Sequence, residues 1–445
     1  MPEYPLLQHG RPNATFARRA GAAITVEHFL HEAAALGRAL PRHRYIVNLC
    51  RDRYRFAVGL AAALQREQIT LLPPSATPLL LAQLAADHGD LYCLTDERPP
   101  DMSVPSFAYP DDLESSAGTA DIPSIAADRP AVILFTSGST GRPQPHPRSW
   151  GALVRSARAA GSRLAITEFG GGTLLGTVPH QHSYGLESLL MLALQHGLTL
   201  HAERLFYPAD ICAALALAPR PRLLVTTPIH LRVLLAEAGE LPKVDLVLSA
   251  TAPLSPQLAR EAEARFAAPL YEIYGCSEAG QLATRRTVAS EEWCCLDGIV
   301  LRANGAGTIA AGAPIDVATR LNDLIELRDR ERFLLHGRTA DLVNIAGKRT
   351  SIAHLNYHLN AIAGVHDGVF VMPEGQDGNG GVIRLIAFAV APALDADAIM
   401  AALRQRVDPA FLPRPLYLVD ALPRDALGKL PREAANRLAA QAERL

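Results

Sequence analysis

The sequence has no cysteine pattern to build on. Its six cysteines (Cys50, Cys93, Cys212, Cys276, Cys294 and Cys295) are scattered over 445 residues, with neither C-x-x-C nor metal-ligand spacing. That excludes a cysteine-held metal or a disulfide framework as the organising feature. Reduced thiols in a cytosolic protein are the expectation, and the adjacent pair Cys294–Cys295 reads as packing rather than as a redox site. Excess charge of one sign is missing too. The net charge of −2 gives no global attraction to nucleic acid or to an anionic membrane. No apolar run reaches the roughly 20 residues that span a bilayer. Met1–Arg18 lacks a cationic start followed by an apolar stretch, so no secretory leader is expected and the location reads as cytoplasmic. Internal repeats and low-complexity tracts are absent.

What remains is a chain that is 49% hydrophobic and 20% charged, able to bury large cores and longer than one ordinary domain. Residues 1–20 carry little pattern and read as an irregular arm. Then helices predicted at Thr25–Leu40, Tyr54–Gln65 and Thr77–His88 alternate with strands at Arg44–Cys50, Ile69–Leu72 and Leu91–Thr95. This alternation indicates parallel β-α-β layering. Residues 96–129, rich in Pro, Asp and Ser, read as a linking region with no core of its own. Further strands at Ala131–Phe135, Leu174–Val178, Arg222–Thr226, Val244–Ser249 and Leu270–Ile273 end in polar, Gly- or Pro-bearing turns. Helices at Ser149–Arg163, Leu186–Gln195, Pro228–Ala238 and Ser255–Phe266 lie between them. In open α/β sheets ligands bind beyond the carboxyl ends of the strands, so these turns are the expected place for chemistry. From about Gly298 short strands take over. Gly337–Asp341 looks like a joint, and a separate α+β unit follows it.

The most distinctive turn is Thr136–Ser137–Gly138–Ser139–Thr140–Gly141. An apolar strand stops there in six residues that are only Thr, Ser and Gly. Glycine lets backbone N–H groups face a ligand and the hydroxyls add donors, so the loop can cradle an anion. No Gly-Lys-Ser/Thr closes it, so it is not a Walker loop. Four further elements follow in order: Pro179-x-x-His182-x-x-Gly185, Tyr274–Gly275–Cys276–Ser277–Glu278, Gly337–Arg338 with Asp341, and Leu427–Gly428–Lys429.

Together these five elements resemble those of the adenylate-forming superfamily: acyl- and aryl-CoA synthetases, peptide-synthetase adenylation domains and luciferases. The likeness covers nearly the whole chain. It implies a large N-terminal multi-layer α/β domain, residues 1–336, and a small mobile α+β lid domain, residues 337–445. It also implies two reaction steps, with ATP and Mg²⁺ as cofactors. A carboxylate attacks the α-phosphate of ATP to give an acyl adenylate, and a thiol then displaces AMP. Charge neutralisation matters more here than covalent help, as in phosphoryl transfer generally.

By this resemblance Thr136–Gly141 holds the β- and γ-phosphates. Tyr274, beside Gly275, stacks on adenine, and Ser277 donates to the α-phosphate. Glu278 holds Mg²⁺, a hard cation that takes carboxylate oxygens. Asp323 and Arg338 bind the ribose hydroxyls. Lys429 neutralises the carboxylate and α-phosphate during adenylation. His182, which gates entry of the acid, lines the acid pocket with Ser183, Gly185, Ala250, Thr251, Ala279 and Gly280. The chain departs from the family in three places. Gln144 stands where a Lys follows the Pro, Leu321–Asn322–Asp323 replaces Thr-Gly-Asp, and the hinge position is Ala340. Arg142 and Arg148 are the cations that could restore the missing charge; the other reading of Arg148 is a solvated residue at a helix start.

No Asp stands where amino-acid-activating members hold the ammonium group. Small residues leave room for a flat ring, and His, Ser and Thr can bond a ring hydroxyl. The expected substrate is therefore a small aromatic acid such as a hydroxybenzoate, with a fatty acid second. No basic cluster for the 3′-phosphate of CoA is evident, whereas Arg404, Arg406, Arg414, Arg424 and Arg432 could meet an acidic carrier protein. The short chain resembles stand-alone ligases that load hydroxybenzoate onto an acyl carrier protein in aryl-polyene and xanthomonadin-type pigment pathways. CoA is the alternative acceptor. A nucleotide- or acid-binding protein without turnover is the reading from another class, and Gln144, Leu321 and Ala340 are the residues that favour it. Neither nucleic acid nor membrane is an expected partner.

Overall fold

Short polar side chains fix where the helices begin. Thr25, Asp52, Ser149, Ser255 and Ser351 each accept a hydrogen bond from the backbone N–H three residues on. Each satisfies a donor that the first helical turn would leave orphaned. Pro78, Pro228 and Pro256 occupy first-turn positions, where a missing N–H costs nothing. The computed structural model describes residues 2–97, 104–113, 121–136, 143–237, 239–305, 307–338, 342–345, 348–372, 385–425 and 430–442.

Two sheets form the large lobe. The first has six strands in the order Gln144–Ser149, Pro130–Thr136, Ile69–Leu72, Tyr45–Asn48, Leu91–Thr95, Ser106–Ala108. Its centre is parallel, and Gln144–Ser149 closes one edge antiparallel to Pro130–Thr136. The second sheet has eleven strands, with Thr173–Gly176, Arg222–Thr226, Leu246–Ser249 and Leu270–Cys276 parallel at its centre. The direction then reverses. Leu270–Cys276 pairs antiparallel with Gly280–Arg285, and the remaining strands out to Asp323–Leu327 are antiparallel as well. One continuous apolar core runs between the sheets, from Leu6 to Phe333.

The small lobe has its own core, in which Val343, Leu355, Phe370, Ala387, Ile399 and Phe411 pack together. Its sheet is Asp367–Val371, Ile386–Val390 and Leu416–Leu418. Mixed α/β architecture with one large and one small lobe is therefore the fold. Arg232 of the large lobe reaches Asp367 of the small one at 3.0 Å, and the Tyr357 hydroxyl donates to Glu291 at 3.1 Å.

Three expectations need correction. Residues 1–20 are not an irregular arm, because Thr15–Arg19 joins the large sheet parallel to Thr199–His201 and buries Phe16 against Phe29 with ring centroids 3.9 Å apart. Residues 96–129 are not coreless. Strands at Ser106–Ala108 and Ser124–Ala126 bring Val104, Tyr109 and Ile125 into the interior. Arg424 is not available to meet a carrier protein, since it grips Asp367 with two bonds of 2.7 and 2.9 Å. Arg404, Arg406 and Arg414 are exposed.

The two layers are pinned by Arg53, which begins the helix Arg53–Gln65 and is 1% exposed. Its guanidinium donates to the carbonyls of Gly176, Val178, His201 and Glu203 at 2.6–3.3 Å, tying this helix to the strand ends of the large sheet. Replacing Arg53 with Met removes a buried cation and strands four carbonyls at once. The expected loss is roughly 3 kcal/mol or more of unfolding free energy, read from urea denaturation; a loss under about 1 kcal/mol would refute the pinning role.

Candidate active site

The ends of the strands converge on one edge of the large lobe. Thr136 terminates its strand half-buried, and its hydroxyl lies 2.9 Å from Nε2 of His146. The same Nε2 is 3.9 Å from Oε1 of Glu278, so one imidazole joins the end of strand Pro130–Thr136 to the Tyr-Gly element. Sequence reasoning missed His146. Its only signal is a histidine between two prolines just after the loop. Ser137, Gly138, Ser139, Thr140 and Gly141 lie outside the described residues, as do Arg142, Ala340, Asp341 and Lys429.

Strand Leu270–Cys276 runs further than predicted, through Tyr274 and Gly275 and straight into a hairpin. A Cβ on Gly275 would sit 2.3 Å from the Gly280 carbonyl oxygen, so only glycine permits this approach. The Tyr274 ring packs 5.7 Å from Trp293 and 5.6 Å from Phe333, and its hydroxyl donates to Asp323 at 2.7 Å. The residues expected to meet adenine and ribose are thus in contact. Asp323 is the register partner of Arg338 across the adjoining strands, which brings the two expected ribose ligands opposite one another at the backbone. Ser277 and Glu278 follow half-buried in the turn. Burial and the Glu278 carboxylate push the Cys276 thiol up to about 12, which rules it out as a thiolate nucleophile near neutral pH.

No group of three His, Cys, Asp or Glu side chains is placed to hold a metal among the described residues. The donor set nonetheless suits Mg²⁺. That ion takes one or two carboxylates and completes its shell with water and substrate phosphates, and the Glu278 side chain is 32% exposed beside the loop.

Among the residues expected to meet the acid, the turn Pro179–Gly185 folds so tightly that a Cβ on Gly185 would lie 2.0 Å from the Pro179 carbonyl oxygen. Its two histidines part company. His180 is 2% exposed and its Nε2 meets the Cys50 carbonyl at 2.9 Å. His182 is half-buried at the start of the next helix. The Tyr184 hydroxyl donates to the Thr226 carbonyl at 3.2 Å. Thr251 holds φ at +79°, a costly conformation for a β-branched residue that marks functional turns when the surroundings enforce it. Ala250 and Ala279 are buried. Beside Ala252–Ser255 a small cleft of about 80 Å³ opens between the lobes, reaching Asn356, Asn360 and Arg424.

Gly280, at φ +82°, seals the floor; a Cβ there would meet Arg148 Nη1 at 2.4 Å and Glu187 Oε2 at 2.9 Å. Arg148 is therefore not a solvated helix-start residue. It is 1% exposed, 3.6 Å from Asp316 and 3.8 Å from Glu187, and donates to the Pro314 carbonyl. Its charge is committed inside the fold and does not replace the missing loop lysine.

The chain belongs to the AMP-binding enzyme family, whose model matches residues 23–317. It is an enzyme, an AMP-forming acid–thiol ligase. It is 30% identical over 289 residues to a 4-coumarate–CoA ligase of Rhodobacter capsulatus, covering 65% of this chain and 70% of the relative. A Halorhodospira halophila 4-coumarate–CoA ligase is 31% identical over 328 residues, covering 70% and 78%. A 3-hydroxybenzoate/4-hydroxybenzoate–CoA ligase of Thauera aromatica is 24% identical, covering 76% and 73%. Among solved structures, ATP-bound MatB of Rhodopseudomonas palustris superimposes with a TM-score of 0.80 at 18% identity, covering 98% of this chain and 97% of that one. Bacillus subtilis o-succinylbenzoate CoA synthetase with its acyl-adenylate intermediate gives 0.80 at 18%, covering 97% and 98%.

Burial lowers the His180 imidazole to about 3, and that of His230 to about 4, from the ordinary 6.5. Both fold neutral, so below pH 6.5 the unfolded chain binds more protons than the native state. Their contribution is intact above pH 6.5 and drains away as pH falls towards 4. Unfolding free energy should drop between pH 7 and pH 5, by up to about 1.4 kcal/mol per pH unit for each group. His180→Asn should flatten that slope in urea titrations, and an unchanged slope would show His180 to carry no share of it.

Proposed function

We propose that the protein activates a small aromatic acid, a hydroxybenzoate in the first instance, as its acyl adenylate. It then transfers the acyl group to the phosphopantetheine thiol of an acyl carrier protein. The observation that carries this reading is the meeting of Thr136, Glu278, Tyr274 and Asp323 at one edge. The small-residue wall of Gly185, Ala250, Thr251, Ala279 and Gly280 lies along the same strand ends, with His182 and Ser183 on it. We place the domain boundary at residue 336/337, where Gly337 takes φ +119° against Ser351 and Ala353.

In the first step the acid's carboxylate oxygen bonds to the α-phosphorus and pyrophosphate leaves. In the second a thiol adds to the acyl carbon, AMP leaves, and the thiol proton is released. Tyr274 and Asp323 orient the nucleoside, with Arg338 on the same ribose. Thr136–Gly141 holds the phosphates and Ser277 donates to the α-phosphate. Mg²⁺ would neutralise phosphate charge, with Glu278 as its carboxylate. His182, Ser183 and the small residues admit and orient the ring. Lys429 of the small domain neutralises the carboxylate and α-phosphate. The B. subtilis synthetase has been captured with ATP and magnesium, which supports both as participants here.

The relatives' names, 4-coumarate–CoA and hydroxybenzoate–CoA ligase, support an aryl acid and equally support CoA as the acceptor. The exposed Arg404, Arg406 and Arg414 support an acidic carrier protein. Acid-dependent pyrophosphate release over a panel of aryl and fatty acids tests the first step, and failure of every acid to give release, despite ATP binding, would leave a binding protein only. Supplying CoA and a phosphopantetheinylated carrier protein side by side tests the second. Faster transfer to the carrier is expected, and equal or faster transfer to CoA overturns the carrier assignment. Lys429→Ala should slow adenylation by about 10²–10³-fold yet leave transfer from a supplied adenylate largely intact. An equal loss in both steps would remove Lys429 from its role.

A further inference from the structure

Directly beneath the acid wall lies a buried carboxylate that the two reaction steps leave unused. Glu187 is 1% exposed, four residues after Ser183. Its Oε1 accepts from the Ser183 hydroxyl at 3.0 Å. Its Oε2 accepts from the Ser156 hydroxyl at 2.8 Å and the Gln281 amide at 3.2 Å. Arg148 lies on its other side at 3.8 Å. Ser183 follows the Pro-x-x-His element, Gln281 follows the Tyr-Gly hairpin, and Ser156 lies on the helix after the phosphate loop. One carboxylate therefore ties together the three segments that surround the acid.

A carboxylate can only accept, so the Ser183 hydrogen is spent inward and the lone pairs of its oxygen are what remain for a ligand. We propose that Glu187, backed by Arg148, is a positioning residue that fixes Ser183 as a hydrogen-bond acceptor and thereby selects acids bearing a hydroxyl over their methyl ethers. This rests on the acid pocket assigned under the proposed function. A ring hydroxyl donates to the Ser183 oxygen; a methoxy group has no hydrogen to give and meets lone pair with lone pair. Because Ser183 is only half-buried, water can stand in for a lost partner, so the preference is moderate.

The test pairs 3- and 4-hydroxybenzoate and 4-coumarate with their O-methyl ethers. It compares kcat/KM for pyrophosphate release and, separately, calorimetric binding of each acid with a non-hydrolysable ATP analogue present. The wild-type protein should favour at least one hydroxyl form by about tenfold or more. Glu187→Gln presents an amide that can donate to Ser183 and let the serine donate outward, so the preference should fall below about threefold with little change in KM for ATP. Ser183→Ala should erase it too, without disturbing the buried pair. A wild-type protein that treats the pairs alike overturns the proposal, as does a preference that survives in Ser183→Ala. If no acid releases pyrophosphate, the ligase reading fails. The binding comparison still decides whether Ser183 selects a donor.

Discussion

The approach of two glycines sets the site. Gly275 can pass within 2.3 Å, measured from an imagined Cβ, of the Gly280 carbonyl, and that contact folds the Tyr-Gly element into a hairpin at the point where the large sheet turns from parallel to antiparallel. Tyr274 falls beside Asp323. Glu278 falls at the tip, near Thr136 and His146. Gly280 falls against Arg148 and Glu187, with Ala279 buried beside it. The three roles proposed for these residues, which need different chemistry, would be held in one frame because a single turn carries residues for each. A side chain at Gly275 would force the strands apart, and one at Gly280 would collide with Arg148 and Glu187.

Around that turn the fold buries charge, which is costly unless it is matched. Arg53 is matched by four carbonyls and makes two layers act as one. Arg148 is matched less closely, by two carboxylates at 3.6 and 3.8 Å and one carbonyl. A hydrophobic pair of the same volume would stabilise the fold at least as well. What such a pair could not do is hold Ser183, Ser156 and the Gln281 amide to one acceptor. Stability alone does not account for Glu187; the proposed orientation of Ser183 would.

Local chemistry was legible in the sequence and distant pairing was not. Caps at Thr25, Ser149, Ser255 and Ser351 and the apolar strands between them follow rules that act within a few residues, so those elements lie where their residues imply. Thr15–Arg19 becomes a strand only because Thr199–His201, far along the chain, offers it a partner. Tyr109 and Ile125 are buried by elements that 96–129 does not itself contain. The same divide runs through the site. Tyr274 and Asp323 were legible as types and are in contact. His146 was missed because its meaning lies in Thr136 and Glu278, and Arg148 was misjudged because nothing near it in sequence announces Glu187 or Asp316.

Distance in sequence also separates the lobes, and the bond between them is cheap to break. Asp367 receives Arg232 from the large lobe at 3.0 Å, but Arg424 of its own lobe already grips both of its oxygens. If the lobes part, Asp367 keeps a bidentate partner and no buried charge is stranded, so the large penalty of a broken buried pair does not apply. Arg232 is left on the wall of a cleft, where water can solvate it. A contact that loses so little on opening is compatible with the mobile lid expected over residues 337–445, whose position could then be decided by what the active site holds.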